Sequence, residues 1–400
     1  MNTQPIRIGY GLSLTGPLAS NGAAARLAHQ IWAQDVNRNG GLLGRRVELV
    51  CIDDETNPKL VPGIYRRLLD DEKVDLLIGG YGDNSVSPAM PLVMERNRYF
   101  VALMALAVNA SFNYPNYFVM IPTGPHPSEA LTEGFFGVAA NQTPKPETIA
   151  IVAADAPFSK APVQGAKAHA DKHGFRVVSE TLYPLSAPDL ASYLRPLKSV
   201  DPDILFFCSY LNDSAALLRA LDEVQLEPKI VGGAMIGPQN GAIKAQLGPL
   251  LNGIVNYEYW MPVPKLMYPG VASMVAEYQS LVGDSGADPL GYYVAPQSYA
   301  QMQILEQAIV GANSLDDAKL AQFTRDMSFK TIVGDVKFGA GGGWAEARVL
   351  QVQYQNIGAN DLADFKNADT QAVVWPSSLA SSPLIYPYAK ARKDITATSA

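Results

Sequence analysis

At 400 residues the chain exceeds what one hydrophobic core usually organises, so two lobes of roughly 150 to 200 residues each are expected. Apolar residues make up 48% and charged residues 17%, which excludes a disordered chain, and a net charge of −7 with scattered basic residues excludes a surface that neutralises a row of phosphates. No run of 18 or more apolar residues exists, so no segment reads as a membrane span, and no nucleic acid is expected as a partner.

In chain order, short apolar runs alternate with stretches whose apolar residues fall three and four apart. IRIGYGL is followed by a helix near 22 to 38, RVELVCI, a helix near 58 to 72, VDLLIGG, a helix near 85 to 96, and YFVALMA. The alternation restarts at TIAIVAA and runs through a helix near 159 to 173, FRVVSETL, a helix near 189 to 199, DILFFCSY, a helix near 212 to 225, KIVGG and GIVNYEYW. The fold class is therefore α/β, with two doubly wound parallel-sheet lobes in tandem.

After residue 269 the pattern turns to helices near 269 to 283 and 292 to 313, then to the short strands TIVGDVKFG and RVLQVQYQ joined by the turn GAGGGW. So small a tail must complete the two lobes already begun, which makes the chain cross between them more than once and form a hinge. Residues 376 to 400, rich in Ser, Pro, Ala and Tyr, read as a surface extension. Cys51 and Cys208, each inside an apolar run, read as two buried free thiols. The opening MNTQPIRIGYG leads straight into a strand, so the chain is either cytoplasmic or lacks a signal segment that has been removed.

Ligands of open parallel α/β sheets sit beyond the carboxyl ends of the strands. Three loops of the first lobe fit. LSLTGPLASNG offers Thr15, Ser20 and Asn21, with Asn21 alternatively a plain helix cap. GGYGDNSVSP offers Tyr81, Asp83, Asn84 and Ser85, where Asp83 suits an ammonium or hydroxyl, and where Asp83 or Ser85 alternatively caps the next helix. Ala105, Leu106 and Ala107, at the end of the fourth strand YFVALMA, present backbone or apolar surface. The second lobe has Phe158, Tyr210, Ala234, Met235, Tyr257, Glu258 and Trp260 at its strand ends. Aromatic residues there suit a flat or branched apolar ligand with one charged end.

Catalytic signatures are missing. There is no GxSxG elbow, no Walker loop and no GxGxxG at the first strand-to-helix turn, and Asp53 and Asp54 in IDDETNP read as capping carboxylates. His29, His126, His169 and His173 are scattered, and the one-turn spacing of the last two reads as a solvated helix face. Neither catalysis, nor a metal, nor a cofactor is called for.

The stretches IRIGYGLSLTGPLASNG, DVNRNGGLLGRRVELVCIDDETNP and VDLLIGGYGDNSVSPAMP together resemble the type I periplasmic binding proteins of the leucine/isoleucine/valine-binding class, over about residues 5 to 355. The resemblance implies a Venus-flytrap fold, with lobe I from 1 to 122 and 256 to 330 and lobe II from 123 to 255 and 331 to 375. It implies a periplasmic, monomeric receptor that closes on a small molecule and delivers it to the membrane permease of an ABC importer. Carried over by position, the family's ligand contacts fall on Asn21, Asp83, Asn84, Ser85, Ala105, Ala107, Phe158, Tyr210 and Ala234. Ala107 and Ala234 stand where the family has a hydroxyl and an acid that greet an α-amino acid, and Asp83 stands where Ser is usual. A small carboxylate, an aromatic or other hydrophobic acid, is thus favoured over an amino acid unless Asp83 or Glu258 pairs with the ammonium. The alternative on the same fold is a cytoplasmic ligand-sensing regulator.

Overall fold

A computed structural model describes residues 4–185 and 187–396. The strands are, in chain order, β1 (Ile6–Leu12), β2 (Val47–Asp53), β3 (Leu76–Tyr81), β4 (Phe100–Leu103), β5 (Tyr117–Met120), β6 (Thr148–Ala154), β7 (Arg176–Tyr183), β8 (Ile204–Ser209), β9 (Ile230–Met235), β10 (Ile254–Glu258), β11 (Ser328–Thr331), β12 (Gly334–Lys337), β13 (Leu350–Tyr354) and β14 (Gln371–Trp375). They build two doubly wound sheets, as the alternation of apolar runs and helical spacing requires.

The first unit takes the chain to Pro125 and again over Leu266–Arg348. Its parallel sheet runs β2-β1-β3-β4-β5, and the antiparallel pair β11-β12 forms a separate small sheet in the same unit. β1, β3 and β4 are almost wholly apolar because helices cover both faces. One polar hub lies inside: Gln301, on the helix Ala295–Ala312, donates from Nε2 to the carbonyls of Gly79 and Val101 at 2.9 and 2.8 Å. Its Oε1 must then accept from His29 Nε2, 3.0 Å away, which fixes the imidazole proton there.

The second unit takes His126–Lys265 and the chain from Val349 onward. Its sheet runs β14-β13-β10-β9-β8-β6-β7, parallel except where β13 and β14 return antiparallel. The C-terminal extension is built into this unit. Arg392, on the helix Tyr388–Thr396, meets Asp222 at 2.6 Å, and Gln353 Nε2 donates to the Ile385 carbonyl.

The crossings therefore fall after Pro125, Lys265 and Arg348, against the 122, 255 and 330 that the family resemblance implied. β10 hydrogen-bonds on both sides, to β9 and β13, so residues 256 to 258 stay with the second sheet. Arg348 N donates to the Pro122 carbonyl and Thr123 bridges to Ala347, which keeps 331 to 348 with the first. TIVGDVKFG and RVLQVQYQ accordingly do not pair as one hairpin: β12 turns back on β11, and β13 pairs with β10 and β14.

Proline explains two departures in helix shape. The expected helix near 85 to 96 is divided into Asp83–Val86, Ser87–Ala89 and Met90–Glu95, with Pro88 and Pro91 each seating a new first turn. The helix near 189 to 199 is two short pieces, Ala191–Leu194 and Leu197–Val200, separated at Pro196.

Candidate ligand-binding site

In each sheet the strand order reverses at one place, between β1 and β3 in the first unit and between β6 and β8 in the second. In open sheets of this kind ligands are held by the loops leaving the carboxyl ends of the strands at the reversal. These loops carry Asn21, Asp83, Asn84 and Ser85 in the first unit, and Phe158 and Tyr210 in the second.

In the first unit the β1 and β3 loops are fastened by the two acids that end β2 and follow it. Asp54 is buried and accepts from Ser13 Oγ at 2.6 Å, from the Thr56 N–H at 2.9 Å and from Ser85 Oγ. Asp53 accepts from the N–H groups of Leu14, Thr15 and Glu55 and from Thr15 Oγ1 at 2.7 Å. Burial pushes the Asp53 carboxyl up, but these hydrogen bonds outweigh it and hold the group below its ordinary range. Both acids are loop staples rather than helix caps, because the next helix starts only at Val61.

Close backbone packing completes this staple. A Cβ on Gly22 would lie 1.9 Å from the Ser13 carbonyl oxygen, and one on Gly80 would lie 2.1 Å from that of Gly11. Asn21 is buried in the first turn of the helix Ala19–Arg38 and is not its cap, since the helix begins two residues earlier. The Ser85 hydroxyl proton is committed to Asp54. Tyr81 is buried, with its hydroxyl 3.1 Å from that of Tyr293 and its ring edge-to-face on the same residue.

Asp83 is half-buried, Asn84 exposed, and Gly82, at φ 80°, turns the chain into them. Asp83 Oδ1 accepts from the Leu106 N–H at 2.7 Å, tying the β3 loop to the β4 loop. Burial raises the Asp83 carboxyl above its ordinary range, against that hydrogen bond, which favours the charged form. Met104, at φ 53°, bends the end of β4 so that Ala105 and Leu106 turn in and Ala107 is left exposed.

In the second unit Phe158 and Tyr210 are half-buried and meet edge-to-face, ring centres 5.8 Å apart, and the Phe158 N–H donates to the Tyr210 hydroxyl at 3.1 Å. Ser214 Oγ accepts from the Gly237 N–H at 3.0 Å, donates to the Tyr210 carbonyl at 2.6 Å and lies 2.8 Å from Ser209 Oγ. Ala234 and Met235 are fully buried at the end of β9. Asn256 clamps Met235 there, accepting its N–H at 2.9 Å and donating to its carbonyl at 2.8 Å.

Tyr257 and Trp260 are also buried. Glu258, a possible ammonium partner on sequence grounds, is instead fully buried against Lys244 Nζ at 3.3 Å, and Lys244 also donates to Gln371 Oε1 at 2.6 Å. The sequence reading missed Tyr293, Asn256 and the bracing role of Asp54. A polar residue inside the apolar run GIVNYEYW was the available signal for Asn256.

His169 is buried rather than solvated, stacked on Phe136, because the helix Pro127–Ala140 packs over it. Burial pushes its imidazole down, against the pull of Glu129 and Glu133. Both cysteines are free; Cys208 is buried and Cys51, near the edge of the first sheet, is half-buried. No group of three or more His, Cys, Asp or Glu side chains among the described residues is placed to hold a metal ion, and none of their helices is long and apolar enough to cross a membrane.

Two tandem doubly wound units with chain crossings between them, each with a loop cluster at its reversal point, define the type I solute-binding fold of the Venus-flytrap class. The chain belongs to the periplasmic binding protein family, whose sequence profile matches residues 5–359. It is 22% identical over 380 residues to the leucine-, isoleucine-, valine-, threonine- and alanine-binding protein of Pseudomonas aeruginosa, covering 94% of this chain and 91% of that one. Two solved structures share the fold. The branched-chain amino acid transporter substrate-binding protein LivJ of Streptococcus pneumoniae, in complex with isoleucine, has a TM-score of 0.75 at 14% identity over 96% of this chain and 100% of that one. An ABC-transporter solute-binding protein of Rhodopseudomonas palustris, in complex with 3,4-dihydroxybenzoic acid, has a TM-score of 0.72 at 16% identity over 88% of this chain and 94% of that one.

Proposed function

We propose that the chain is the extracytoplasmic receptor of a branched-chain-amino-acid-type ABC importer. It takes up a small hydrophobic or aromatic solute bearing a carboxylate, an organic acid or an amino acid, by hinge closure in the periplasm, and presents it to a membrane permease without chemical change. The observation that carries this reading is the Phe158–Tyr210 aromatic pair at the strand-order reversal of the second unit, in a chain of this family. The half-buried edge-to-face pair offers an apolar aromatic wall, and Ala234 and Met235 at the end of β9 are apolar and fully buried. The relatives carry amino acids in one case and a benzoate-type acid in another, which brackets the same solute class and favours transport over intracellular sensing.

The test is a thermal-shift series on ligand-stripped protein with leucine, isoleucine, benzoate and 3,4-dihydroxybenzoate. A solute at 100 times its dissociation constant stabilises by about 2.7 kcal/mol, well above detection. Small-angle scattering of the same samples is expected to show a more compact particle with the stabilising solute. A melt unmoved by every compound rejects the reading.

A further inference from the structure

The sequence holds four Asn-Gly pairs, Asn21–Gly22, Asn39–Gly40, Asn240–Gly241 and Asn252–Gly253. Such a pair carries its own reaction. The glycine backbone nitrogen attacks the side-chain carbonyl carbon of the asparagine, ammonia leaves, and a cyclic succinimide closes; glycine, with no Cβ, hinders the attack least. Closure needs an asparagine side chain that is not held, a glycine N–H that can come free, and water to open the ring.

The fold holds three of the pairs. Asn21 is buried in the first turn of its helix, where the Gly22 N–H donates to the Leu18 carbonyl at 3.0 Å and Gly22 packs on the Ser13 carbonyl. Asn240 is buried and caps its helix, its Oδ1 accepting from the N–H groups of Ala242 and Ile243 at 2.9 and 3.2 Å. Asn252 is fully buried, its amide closed on the Ile357 N–H and carbonyl at 2.9 Å each, and the Gly253 N–H donates to the Tyr354 carbonyl at 2.7 Å. Asn39 differs on every count. It follows the helix Ala19–Arg38, is exposed, and its side chain has no hydrogen-bond partner among the described residues. Gly40 is exposed too, at φ 98°, and its N–H reaches the Asn37 carbonyl only at 3.3 Å. Beyond its chain neighbours no atom stands within 4 Å of where a Gly40 Cβ would lie.

We propose that Asn39–Gly40 is a site of spontaneous modification, the one Asn-Gly pair that the folded protein leaves open to it. Loss of ammonia from the Asn39 side chain and addition of one water convert residue 39 to aspartate, joined to Gly40 through either its main-chain or its side-chain carboxyl. The other three pairs react only when their elements open, so they lag by the population of the opened form. The product sets a new carboxylate at the C-terminal end of the helix, where the helix dipole disfavours negative charge. Its side-chain-linked form also adds a methylene to the backbone between two fixed points. One is Asn37, whose side chain clamps Val47 at 2.7 and 2.9 Å, and the other is Gly41, packed on the Arg45 carbonyl. Asn39 lies at the opposite end of this helix from Asn21, so the chemistry is independent of the receptor reading above.

The experiment keeps the native full chain and the denaturant-unfolded chain side by side in mildly alkaline buffer at body temperature. Both are mapped by mass spectrometry after digestion with pepsin in acid, where new succinimide forms slowly. The expected result for the native chain is conversion at Asn39, side-chain-linked product included, with rates at Asn21, Asn240 and Asn252 at least roughly tenfold lower. In the unfolded chain all the pairs should convert at comparable rates, since the protection is structural. Asn39→Gln, whose longer side chain closes a ring poorly, should keep its isoelectric point over the same interval and leave the melt in place. An Asn39 that stays intact in the native chain while converting in the unfolded one overturns the proposal. So does conversion at Asn21, Asn240 or Asn252 as fast as at Asn39, or an Asn39→Gln protein that turns acidic at the native rate.

Discussion

The two units solve the same problem, holding irregular loops at the reversal of a parallel sheet, with opposite chemistry. In the first unit the loops hang on carboxylates: Asp54 gathers Ser13, Ser85 and Thr56, and Asp53 gathers Leu14, Thr15 and Glu55. In the second they hang on neutral groups, the Asn256 amide on Met235, the Ser214 hydroxyl on Gly237, and the Tyr210 hydroxyl on Phe158. Charge-assisted hydrogen bonds are roughly twice as strong as neutral ones, so the first face is stiffer and also more sensitive to loss of a single group. The fold is indifferent to this choice, whereas the potential offered to a solute is not.

The largest effect is expected where the first face is cut at its centre. Asp54→Ala leaves two hydroxyls and the Thr56 N–H without their acceptor at a buried position, and should cost about 3 to 4 kcal/mol of stability. Denaturant unfolding gives the magnitude, and hydrogen exchange should place the lost protection in 12–22 and 79–88 while 150–260 keeps its own. Loss spread evenly over both units would mean that the carboxylate does not act locally.

The next effect separates the units by pH. Burial pushes the His29 imidazole down to about 4 from its ordinary 6.5, while Gln301 accepts from its one N–H and pulls the other way. Between those values the unfolded chain binds a proton that the folded chain does not, so stability is full above about pH 6.5 and falls as pH drops towards 4, by about 3 kcal/mol in total. His169 in the second unit moves in the same direction, but Glu129 and Glu133 favour its charged form and limit the loss. Exchange protection measured from pH 7 to pH 4 should therefore fall further in the first unit, and His29→Gln should flatten that fall. Equal slopes in both units would remove His29 as the cause.

What was legible in the sequence follows the range of the interactions involved. β6 was readable at its full extent because a buried parallel strand is a continuous apolar run, and the loops after β1, β3, β6 and β8 were locatable because alternation alone gives strand ends. The pairing of β10 with β13 was not, since the partners lie some hundred residues apart and nothing near 256 announces them. The same distance hid Asp54: DD before a helix is locally a cap, and only the fold brings Ser13 and Ser85 to it. His169 and Glu258 were misjudged for one reason, that polar residues on apparently open positions acquire cover from elements elsewhere in the chain, the helix Pro127–Ala140 in one case and Lys244 in the other.

The smallest effect tests whether the neutral face is held by the hydrogen bond or by the rings. Tyr210→Phe keeps the edge-to-face contact with Phe158 and removes only the hydroxyl that accepts the Phe158 N–H. A neutral hydrogen bond at a half-buried position is worth about 1 kcal/mol, and water can replace it, so the melt should shift by a degree or two at most. If the hydroxyl also orients the pair towards the solute, affinity should fall by more than stability does, through a faster off-rate, because a wall that must be ordered at binding costs what a pre-ordered one does not. Equal and small losses in both would assign the pair to packing alone.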